Sequence, residues 1–340
     1  MNQQIILAVD AMGGDNAPGA IVAGCVLALA EQPDIVIELY GAMDRVKPLL
    51  PAEAEAGGRL LMVDAPDVID NTDSPVMAIR QKPKSSLVMA LEAVKAGRAA
   101  AVVSAGSTGA LLAGGMFRVG RIRGIERPAL AVIIPGSMGP FVLTDCGSNV
   151  DCKPEYLAQF GQMGSVYAQK VLGVSNPRVA LANIGAEAEK GNALVKAAFE
   201  LMGNQPYNFV GNIEARDIPA GAADVVVADG FVGNMILKHT EGMAATLMSM
   251  LKQEMMASAR AKLGALLMKP GLRAFKKKMD YTEYGGAPLL GVNGVLIKAH
   301  GSSGDYAFKS AIGQAVRMAR GGVVEAITEY CQQQEENHGL

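Results

Sequence analysis

Residues 6–18, ILAVDAMGGDNAP, decide the fold class of this 340-residue chain. An apolar run ends at Asp10, a loop with two adjacent glycines follows, and the next apolar segment, residues 20–31, has the length of a helix. This order of strand, glycine loop and helix is typical of phosphate-binding turns in parallel α/β sheets. The loop nevertheless lacks the Gly-x-Gly-x-x-Gly spacing of dinucleotide-binding proteins, and the carboxylates of Asp10 and Asp15 would repel an anion. The stretch therefore predicts an α/β protein and leaves open what the loop binds.

Short β-branched runs alternate with helix-length segments along the rest of the chain, which is the pattern of parallel strands joined by crossover helices. The predicted strands are IILAVD, IVIELYG, RLLMVDA, AAVVSAG, ALAVIIP, FVLTDCG, RVALANIG, NFVGNI, DVVVADG and VLIKAHG. The predicted helices cover residues 20–31, 85–97, 107–118, 154–172, 191–203, 232–258 and 305–333. Because many strands are apolar at successive positions, helices should cover both faces of the sheet. We therefore expect a single domain over residues 1–340 with a three-layer α/β/α, Rossmann-like fold and a mostly parallel sheet.

The composition argues against several classes of protein. Half of the residues are hydrophobic and 19% are charged, so the chain can bury a large core. Its net charge of -2 argues against a nucleic-acid partner. The four cysteines form no Cys-x-x-Cys pair and the three histidines are dispersed, so we expect no metal, no cofactor and no disulfide framework. No apolar run reaches the length of about 18 residues that a membrane span needs, and the N-terminus lacks a signal-peptide pattern. We therefore expect a cytoplasmic protein.

Several predicted strands end in a turn of small or polar residues that leads into a helix. Small residues let backbone N–H groups approach an anion, and a helix N-terminus adds positive potential. The alternative for the Ser, Thr and Asp residues is that they cap ordinary helices. Ligands of open α/β sheets bind at the carboxyl ends of the strands, so these turns are predicted to converge on one phosphate-handling crevice. The candidate substrate-binding residues are Asp10, Gly13, Gly14, Asn16, Ser104, Gly106, Ser107, Thr108, Gly109, Asp145, Ser148, Asn149, Asp229 and Gly230.

Three residues in or near such turns are candidate catalytic groups. Lys190 lies in the glycine-flanked turn of NIGAEAEKG and is the strongest cation candidate, with a solvated surface lysine as its alternative. Asn234 follows the DGFVG turn, and His300 lies at a strand end beside GSSG, where it is placed to transfer a proton. A nucleophilic mechanism fits poorly, because no serine lies in a Gly-x-Ser-x-Gly elbow. A small cysteine such as Cys146 at a strand end is more often a packing residue.

Two segments depart from the α/β pattern. Residues 65–86, rich in Pro, Asp and Ser, are expected to form a long structureless loop with a function. Residues 242–280 are expected to form an inserted amphipathic helical hairpin, rich in Met and strongly basic. Basic amphipathic helices bind anionic membranes or acidic proteins, whereas the alternative is a helix pair in the core or at a dimer interface. The candidate contacts with a membrane or an acidic partner are Leu263, Leu266, Leu267, Arg273, Lys276 and Lys277.

Seven blocks of sequence, which run from the first strand to the last helix, carry a family resemblance. They are DAMGGDNAP, SAGSTGA, DCGSN, NIGAEAEKG, GNIEARDI, DGFVGN and GAPLLGVNGVLIKAHGSS. In these blocks the chain resembles the bacterial phosphate acyltransferases of phospholipid synthesis, the acyl-acyl-carrier-protein:phosphate transacylases. One departure is Ser107, which stands where the family pattern SAGNTGA has Asn and keeps a hydrogen-bonding group there.

The resemblance implies a fold related to the phosphotransacetylases and the isocitrate dehydrogenase-like group. It also implies transfer of a fatty acyl group from acyl carrier protein to inorganic phosphate, which gives an acyl phosphate. A homodimer with peripheral membrane association is implied, with the product passing to a membrane-bound glycerol-3-phosphate acyltransferase. The basic hairpin residues would steer the acidic acyl carrier protein, and the leucines would dip into lipid.

Within this resemblance each candidate residue acquires a role. Lys190, Asn234 and backbone N–H groups of the turns would hold the phosphate and the developing oxyanion. His300 or a nearby carboxylate would transfer the proton. Asp10 and Asp15 would orient Lys190, cap the first helix or manage a proton. Three other interpretations stay open: a coenzyme A-dependent phosphotransacetylase, a dehydrogenase of the related fold, and a non-catalytic scaffold that binds acyl carrier protein or membranes.

Overall fold

The computed structural model describes residues 4–52, 57–279 and 284–337, and over these ranges the chain forms an eleven-stranded sheet. The strands are β1 (Ile5–Asp10), β2 (Ile35–Gly41), β3 (Leu60–Asp64), β4 (Ala101–Ser104), β5 (Ala129–Gly136), β6 (Gly139–Thr144), β7 (Val179–Asn183), β8 (Phe209–Glu214), β9 (Val225–Val227), β10 (Ala287–Leu290) and β11 (Val295–Lys298). Their order across the sheet is β3-β2-β1-β4-β11-β10-β5-β6-β9-β7-β8. Seven pairings are parallel and three are antiparallel, which confirms the mostly parallel sheet.

Helices join the strands and cover both faces of the sheet, as expected for three α/β/α layers. They are α1 (Gly19–Glu31), α2 (Met43–Val46), α3 (Pro75–Gln81), α4 (Ser86–Lys95), α5 (Thr108–Gly114), α6 (Pro154–Tyr167), α7 (Ala193–Gly203), α8 (Gly230–Met256), α9 (Ala259–Met279), α10 (Asp305–Gly321) and α11 (Val323–Asn337). A 3-10 turn, Lys47–Leu49, follows α2. Two π-helical turns, Gly115–Val119 and Ala168–Leu172, extend α5 and α6.

The three antiparallel pairings lie together in the middle of the sheet and reverse its direction. β10 runs antiparallel to both β11 and β5, and β5 runs antiparallel to β6. The strands β3, β2, β1, β4 and β11 therefore form one parallel block, and β6, β9, β7 and β8 form a second block that runs the opposite way. β10 is not among the strands predicted from the sequence. This strand has only four residues and contains Pro288, which cannot donate the N–H that a central strand normally supplies.

Two predictions about the connections are wrong. Residues 65–86 are not structureless, because they contain α3 and an ion pair in which Lys82 Nζ lies 2.5 Å from Asp73 Oδ2. The single helix predicted over residues 305–333 is two helices. Gly322 ends α10 with a φ of 60°, a left-handed conformation that glycine adopts without the steric cost of a Cβ atom.

The core is continuous on one face of the sheet and divided on the other. On the continuous face, residues such as Val103 and Ile297 pack with α1, α6, α7, α10 and α11. On the divided face, a first cluster around Val102 and Leu296 lies under α3, α4 and α5. A second cluster around Leu143 lies under α8. The gap between the two clusters falls at the reversal of the sheet, because Leu289 of β10 belongs to the first cluster, whereas Ala287 of β10 and the β5 side chains pack in the second.

The helices α8 and α9 extend beyond the sheet. α8 runs unbroken from Gly230 to Met256, so position 242 is not a helix boundary. α9 begins at Ala259, and side chains of both helices line an open groove of about 700 Å³. The assignment of residues 242–280 as an inserted hairpin stays a prediction. None of the described helices is long and apolar enough to cross a membrane.

Candidate functional site

A pocket of about 340 Å³ lies on the divided face, at the gap between its two core clusters. Its walls come from the carboxyl ends of β6 and β11, the side chains of β5, the start of β10, and the N-terminal halves of α5 and α8. The lining residues are Thr108, Leu130, Val132, Cys146, Gly147, Asn234, Leu237, Lys238, Glu241, Gly285, Gly286, Ala287, Lys298, Ala299 and His300. The reversal of the sheet thus brings elements of both parallel blocks to one pocket.

Asp10 anchors the turns that follow β1 and β4. Its carboxylate is 2% exposed and accepts hydrogen bonds from the hydroxyls of Ser86 and Ser104, each at 2.6 Å. Ser104 Oγ in turn accepts a hydrogen bond from Gly106 N at 3.0 Å. A Cβ atom on Gly13 would lie 2.5 Å from Asp10 Oδ2 and 2.6 Å from Gly106 N. The glycines of this loop therefore let the backbone close over a buried carboxylate that binds protein donors.

The loop after β11 is held against the loop after β1. Asn16 Nδ2 donates to the Ser302 carbonyl oxygen at 3.1 Å, and Gly14 has a φ of 106° that favours glycine. His300 Nδ1 lies 2.8 Å from Ser302 Oγ. Among the described residues Nε2 of His300 has no hydrogen-bond partner, so it is the ring nitrogen available to a ligand. Asn16 therefore binds protein, and its contact helps to hold His300 at the pocket.

Lys298 is a cation of the pocket that the sequence analysis does not single out. It is the last residue of β11 and pairs in register with Ser104, the last residue of β4. Asp10 is the last residue of β1 at the same level, because the preceding residues of β1 and β4 are paired. Side chains at equivalent positions of parallel strands point to the same face. Asp10, Ser104 and Lys298 therefore point to the divided face, where the pocket lies.

The ammonium group of Lys298 lies among backbone carbonyls. Its Nζ donates to Ala105 O at 3.3 Å and to the carbonyl oxygen of Ala299. Burial lowers the pKa of Lys298 to about 8, whereas the carboxylates of Asp10 and Asp15 oppose that shift. The group is therefore charged at neutral pH but close enough to neutrality to respond to its surroundings.

Asp145 anchors the turn that follows β6 and ties it to the start of β5. It is fully buried, and it accepts hydrogen bonds from Leu130 N at 2.9 Å, Ser148 N at 3.2 Å and Asn149 N at 2.6 Å. The Asn149 amide adds a further hydrogen bond at 3.0 Å. Burial raises the pKa of Asp145, and these hydrogen bonds oppose the shift. Asp145 and Asn149 build the turn and do not line the pocket, whereas the buried Oγ of Ser148 has no hydrogen-bond partner among the described residues.

Close packing between this turn and α8 places Asn234 in the pocket wall. The backbone N–H of Gly230 donates to the carbonyl oxygen of Asn149 at 2.7 Å. A Cβ atom on Gly233 would lie 1.9 Å from the carbonyl oxygen of Asp145, so no side chain fits there. One residue further on, Asn234 lies over Gly147, with its Cγ 3.6 Å from where a Cβ of that glycine would be.

Helix capping accounts for two of the predicted substrate-binding residues. Ser107 Oγ accepts a backbone N–H at the start of α5 at 3.4 Å, and Asp229 Oδ1 does the same for α8 at 2.8 Å. Gly109 is required by packing, because its Cβ would lie 2.8 Å from Pro75. Thr108 is the residue of this group that lines the pocket.

The turn that carries Lys190 lies apart from this pocket. Asn183 Nδ2 donates to the Lys190 carbonyl oxygen at 3.1 Å and fixes the turn at the end of β7. The turn borders a second depression of about 380 Å³, whose lining includes Leu181, Ile184 and Val232. Lys190 is exposed and is not brought to Asn234 and His300 in this structure. Its catalytic role stays a prediction.

Three other side chains of the pocket wall, Cys146, Lys238 and Glu241, limit the kinds of reaction that the pocket can catalyse. Burial raises the pKa of the Cys146 thiol, whose Sγ donates to Leu143 O at 3.2 Å, so this cysteine stays protonated and packs. Lys238 Nζ donates to Glu241 Oε2 at 2.9 Å on the wall formed by α8. This pair is not among the site residues predicted from the sequence, because helical spacing alone does not assign it to a site. Over the described ranges, no three His, Cys, Asp or Glu side chains cluster in a way that would hold a metal ion.

The residues predicted to contact a membrane or an acidic partner lie on α9, and those whose side chains are described do not line this pocket. The predicted apolar contacts are all more than half exposed: Leu263, Leu266 and Leu267. Arg273 lines the groove between α8 and α9. The side chains of Lys276 and Lys277 lie outside the described part of the chain.

Comparison with known proteins identifies the family. The chain matches the family described as fatty acid synthesis protein over residues 5–326. It is 52% identical over 324 residues to the phosphate acyltransferase of Clostridium acetobutylicum, a match that covers 95% of this chain and 98% of that protein.

Two solved structures share the fold, each at 16% sequence identity. A phosphotransacetylase from Streptococcus pyogenes gives a TM-score of 0.62 and covers 94% of both chains. A branched-chain phosphotransacylase from Enterococcus faecalis gives 0.57 and covers 93% of this chain and 99% of that one. These likenesses confirm the phosphotransacetylase-like fold. Together with the family match, they lead to one conclusion: the chain belongs to the fatty acid synthesis protein family and, within it, to the phosphate acyltransferases, which are acyltransferase enzymes.

Proposed function

We propose that this enzyme moves a fatty acyl group from acyl carrier protein to inorganic phosphate and forms an acyl phosphate for phospholipid synthesis. The observation that carries the proposal is the pocket on the divided face. Lys298, Asn234 and His300 supply cationic and hydrogen-bonding groups, whereas Leu130 and Val132 supply apolar surface. A small anion fits the polar groups, and the carbonyl end of an acyl chain fits the apolar ones.

The proposed chemistry needs positioning rather than an enzyme nucleophile, because a thioester is already activated. An oxygen of the bound phosphate attacks the thioester carbonyl carbon, the C–S bond breaks, and the leaving thiolate takes up a proton. The protonated state of the buried Cys146 supports direct transfer. Asn234 would stabilise the oxyanion, and Nε2 of His300 would supply the proton to the thiolate.

A phosphate-binding role for Lys190 requires its turn to move towards the pocket when substrate binds. The test compares Lys190→Ala with Asn234→Ala at subsaturating phosphate. We expect Asn234→Ala to lower the rate by about 100-fold, as loss of an oxyanion donor does. Near-normal rates for Lys190→Ala would show that Lys190 does not bind phosphate. Near-normal rates for both variants would show that this pocket is not the active site.

The main test is the reaction. The protein is incubated with a palmitoyl thioester of acyl carrier protein and inorganic phosphate, and hydroxylamine traps the acyl phosphate as a hydroxamate. Because hydroxylamine also cleaves thioesters, the control omits phosphate. Hydroxamate that depends on protein and phosphate supports the proposal. Reaction only with an acyl coenzyme A favours a phosphotransacetylase, and no reaction with either donor favours a non-catalytic scaffold.

The proposal extends to α8 and α9, which we assign to carrier-protein and membrane contact. The exposed leucines of α9, such as Leu266 and Leu267, would dip into lipid, and Arg273 would attract the acidic carrier. The enzyme would then work as a cytoplasmic homodimer on the membrane surface and pass its product to a membrane-bound glycerol-3-phosphate acyltransferase. In liposome co-sedimentation, Leu266→Glu with Leu267→Glu should abolish binding. Unchanged binding would end the lipid assignment, and sedimentation velocity of the same variant would report whether these residues serve the dimer.

A further inference from the structure

Asp10, Ser104 and Lys298 form a charged unit across three adjacent strands, and we call it the strand-end triad. Ser104 lies between the other two in the sheet and donates its hydroxyl to Asp10 at 2.6 Å. Lys298 lines the pocket, whereas Asp10 and Ser104 do not. The triad therefore presents its cation to the pocket and keeps its carboxylate behind it.

Three protein donors occupy most of the acceptor positions of the triad's carboxylate. Asp10 Oδ1 accepts from Ser86 Oγ at 2.6 Å and from Met12 N at 3.1 Å, and Oδ2 accepts from Ser104. These donors compensate the charge and hold the carboxylate out of the pocket. An anion in the pocket would thus meet the cation first and the carboxylate only at a distance.

The ammonium group of Lys298 has one N–H donor that the described residues do not use. A lysine ammonium carries three N–H donors, and in Lys298 two of them are used by the carbonyl oxygens of Ala105 and Ala299. Among the described residues no carboxylate forms an ion pair with Lys298, in contrast to Lys238, which pairs with Glu241 on the same pocket wall. A partly buried cation without a contacting carboxylate is stabilised when an anion binds beside it.

We infer that Lys298 binds the substrate phosphate directly and that Asp10 is the positioning residue that stabilises the ammonium charge from behind. The inference rests on the proposed phosphate substrate and names the residue that holds it. Phosphate would take the third N–H of Lys298 as a charge-assisted hydrogen bond. Because the serine hydroxyls fix Asp10, its charge reaches Lys298 through space without competing for that N–H.

The electrostatics of the pocket support this assignment. Burial lowers the pKa of Lys298 to about 8, Asp10 and Asp15 raise it, and Lys238 lowers it further. Glu241, His300 and the Cys146 thiol are the other titratable groups in the pocket wall, among the described residues. Since the ammonium form is lost above about pH 8, phosphate affinity should fall on the alkaline side of that value. Asp10→Asn removes a stabilising charge and should move this fall to lower pH.

The direct test is calorimetric titration of the full chain with inorganic phosphate at pH 7. Lys298→Met should weaken binding at least 30-fold, and Lys298→Arg, which keeps a charge but changes its geometry, should recover part of the loss. Lys95→Met is the matched control, because this lysine is exposed at the end of α4, away from the pocket, and its loss should leave affinity within twofold. Affinity within threefold of the wild type for a folded Lys298→Met overturns the inference. If that variant does not fold, Lys298→Gln is judged by the same criterion.

A kinetic measurement tests the positioning role of Asp10. In the hydroxamate assay Lys298→Met should raise KM for phosphate more than it lowers kcat, and Asp10→Asn should move the alkaline limb of kcat/KM down by about half a pH unit or more. An unmoved limb with a uniformly lower rate would make Asp10 merely structural and overturn its role. The two proposals fail separately. Phosphate binding through Lys298 without any acyl phosphate would refute the reaction, whereas acyl phosphate formation with full phosphate affinity in Lys298→Met would refute only this inference.

Discussion

Asp10 and Asp145 stand at strand ends in the two opposed blocks of the sheet, and both are buried. Asp145 accepts its hydrogen bonds from backbone N–H groups and an amide of its own turn and of β5. Asp10 accepts mainly from the hydroxyls of Ser86 and Ser104, which belong to other elements, and it lies near Lys298. A buried carboxylate surrounded by backbone donors fixes the path of the chain. A buried carboxylate that is held by hydroxyls beside a cation can contribute to a ligand-binding site.

The largest effect that tests this comparison is loss of the Asp145 carboxylate. Asp145→Ala leaves two buried backbone N–H groups, a partly buried one and the Asn149 amide without their acceptor, so we expect the free energy of unfolding to fall by about 3–5 kcal/mol. Asp10→Ala should cost less, about 1–3 kcal/mol, because the Ser86 and Ser104 hydroxyls can rotate to other acceptors. Urea denaturation measures both. An equal or larger loss for Asp10→Ala would contradict the distinction between the two carboxylates.

A second test concerns the close packing around Asp145. Gly233→Ala places a Cβ atom 1.9 Å from the Asp145 carbonyl oxygen. Because the clash is with backbone, α8 must shift away from the turn, and we expect a loss of about 2–3 kcal/mol in unfolding free energy. Gly242→Ala is the control on the same helix, where nothing lies within 4 Å of the added methyl. It should be neutral or stabilising by up to about 1 kcal/mol, since alanine has the better helix propensity.

The same urea transitions decide the outcome for both glycines. A Gly233→Ala variant as stable as the wild type would mean that the turn after β6 adapts freely. In that case the rigidity assigned to the Asp145 region would be wrong.

The sequence predicts the local elements well and their arrangement less well. Apolar runs such as VVV of β9 are recognisable because strands buried on both faces have no polar positions. β10 is not predicted from the sequence because Pro288 argues against a central strand. Lys298 is not predicted as a site residue for a different reason. Its position beside Ser104 follows from the pairing of β11 with β4, two strands far apart in sequence, and no local pattern reports that pairing.

The prediction of the candidate site is limited in the same way, because local sequence does not show which turns lie side by side. The glycine-flanked turn makes Lys190 the strongest cation candidate in the sequence, yet in the sheet order β9 separates its strand, β7, from β6 and the pocket. Ser107 and Asp229 lie where turn chemistry predicts, but the turn alone does not distinguish a cap from a ligand contact. A turn motif indicates chemistry, and the strand order decides whether that chemistry reaches the pocket.

The third test uses the pH dependence of stability at Lys298. Its pKa in the folded protein is about 8, below the ordinary value of 10.5, so between these values the unfolded chain holds a proton that the folded chain has lost. Raising the pH through this window therefore favours the folded state, and below pH 8 the lysine costs its full penalty. Lys298→Met should consequently gain stability relative to the wild type at pH 7, and the gain should shrink by on the order of 1–2 kcal/mol by pH 10.

Urea denaturation at pH 7, 8, 9 and 10 measures that difference, with Lys95→Met as a control whose difference from the wild type should stay flat. A flat difference for Lys298→Met would show that burial does not perturb this lysine, and the contrast between the two strand-end carboxylates would then lose its electrostatic part.

The smallest expected effect concerns Ser107, the position at which the resemblance described in the sequence analysis implies Asn. Ser107→Ala removes the acceptor that caps α5 and should cost about 1 kcal/mol, the usual value of an N-cap. Ser107→Asn introduces the residue that the resemblance implies, and because Asn and Ser cap helices about equally well, stability should change by less than about 0.5 kcal/mol. Thermal melts measure the first effect, and the hydroxamate assay shows whether the Asn amide adds anything to catalysis. A rate increase in Ser107→Asn without a change in melting temperature would mean that this position contacts substrate as well as capping the helix. The turn after β4 would then belong to the reacting part of the molecule rather than to its support.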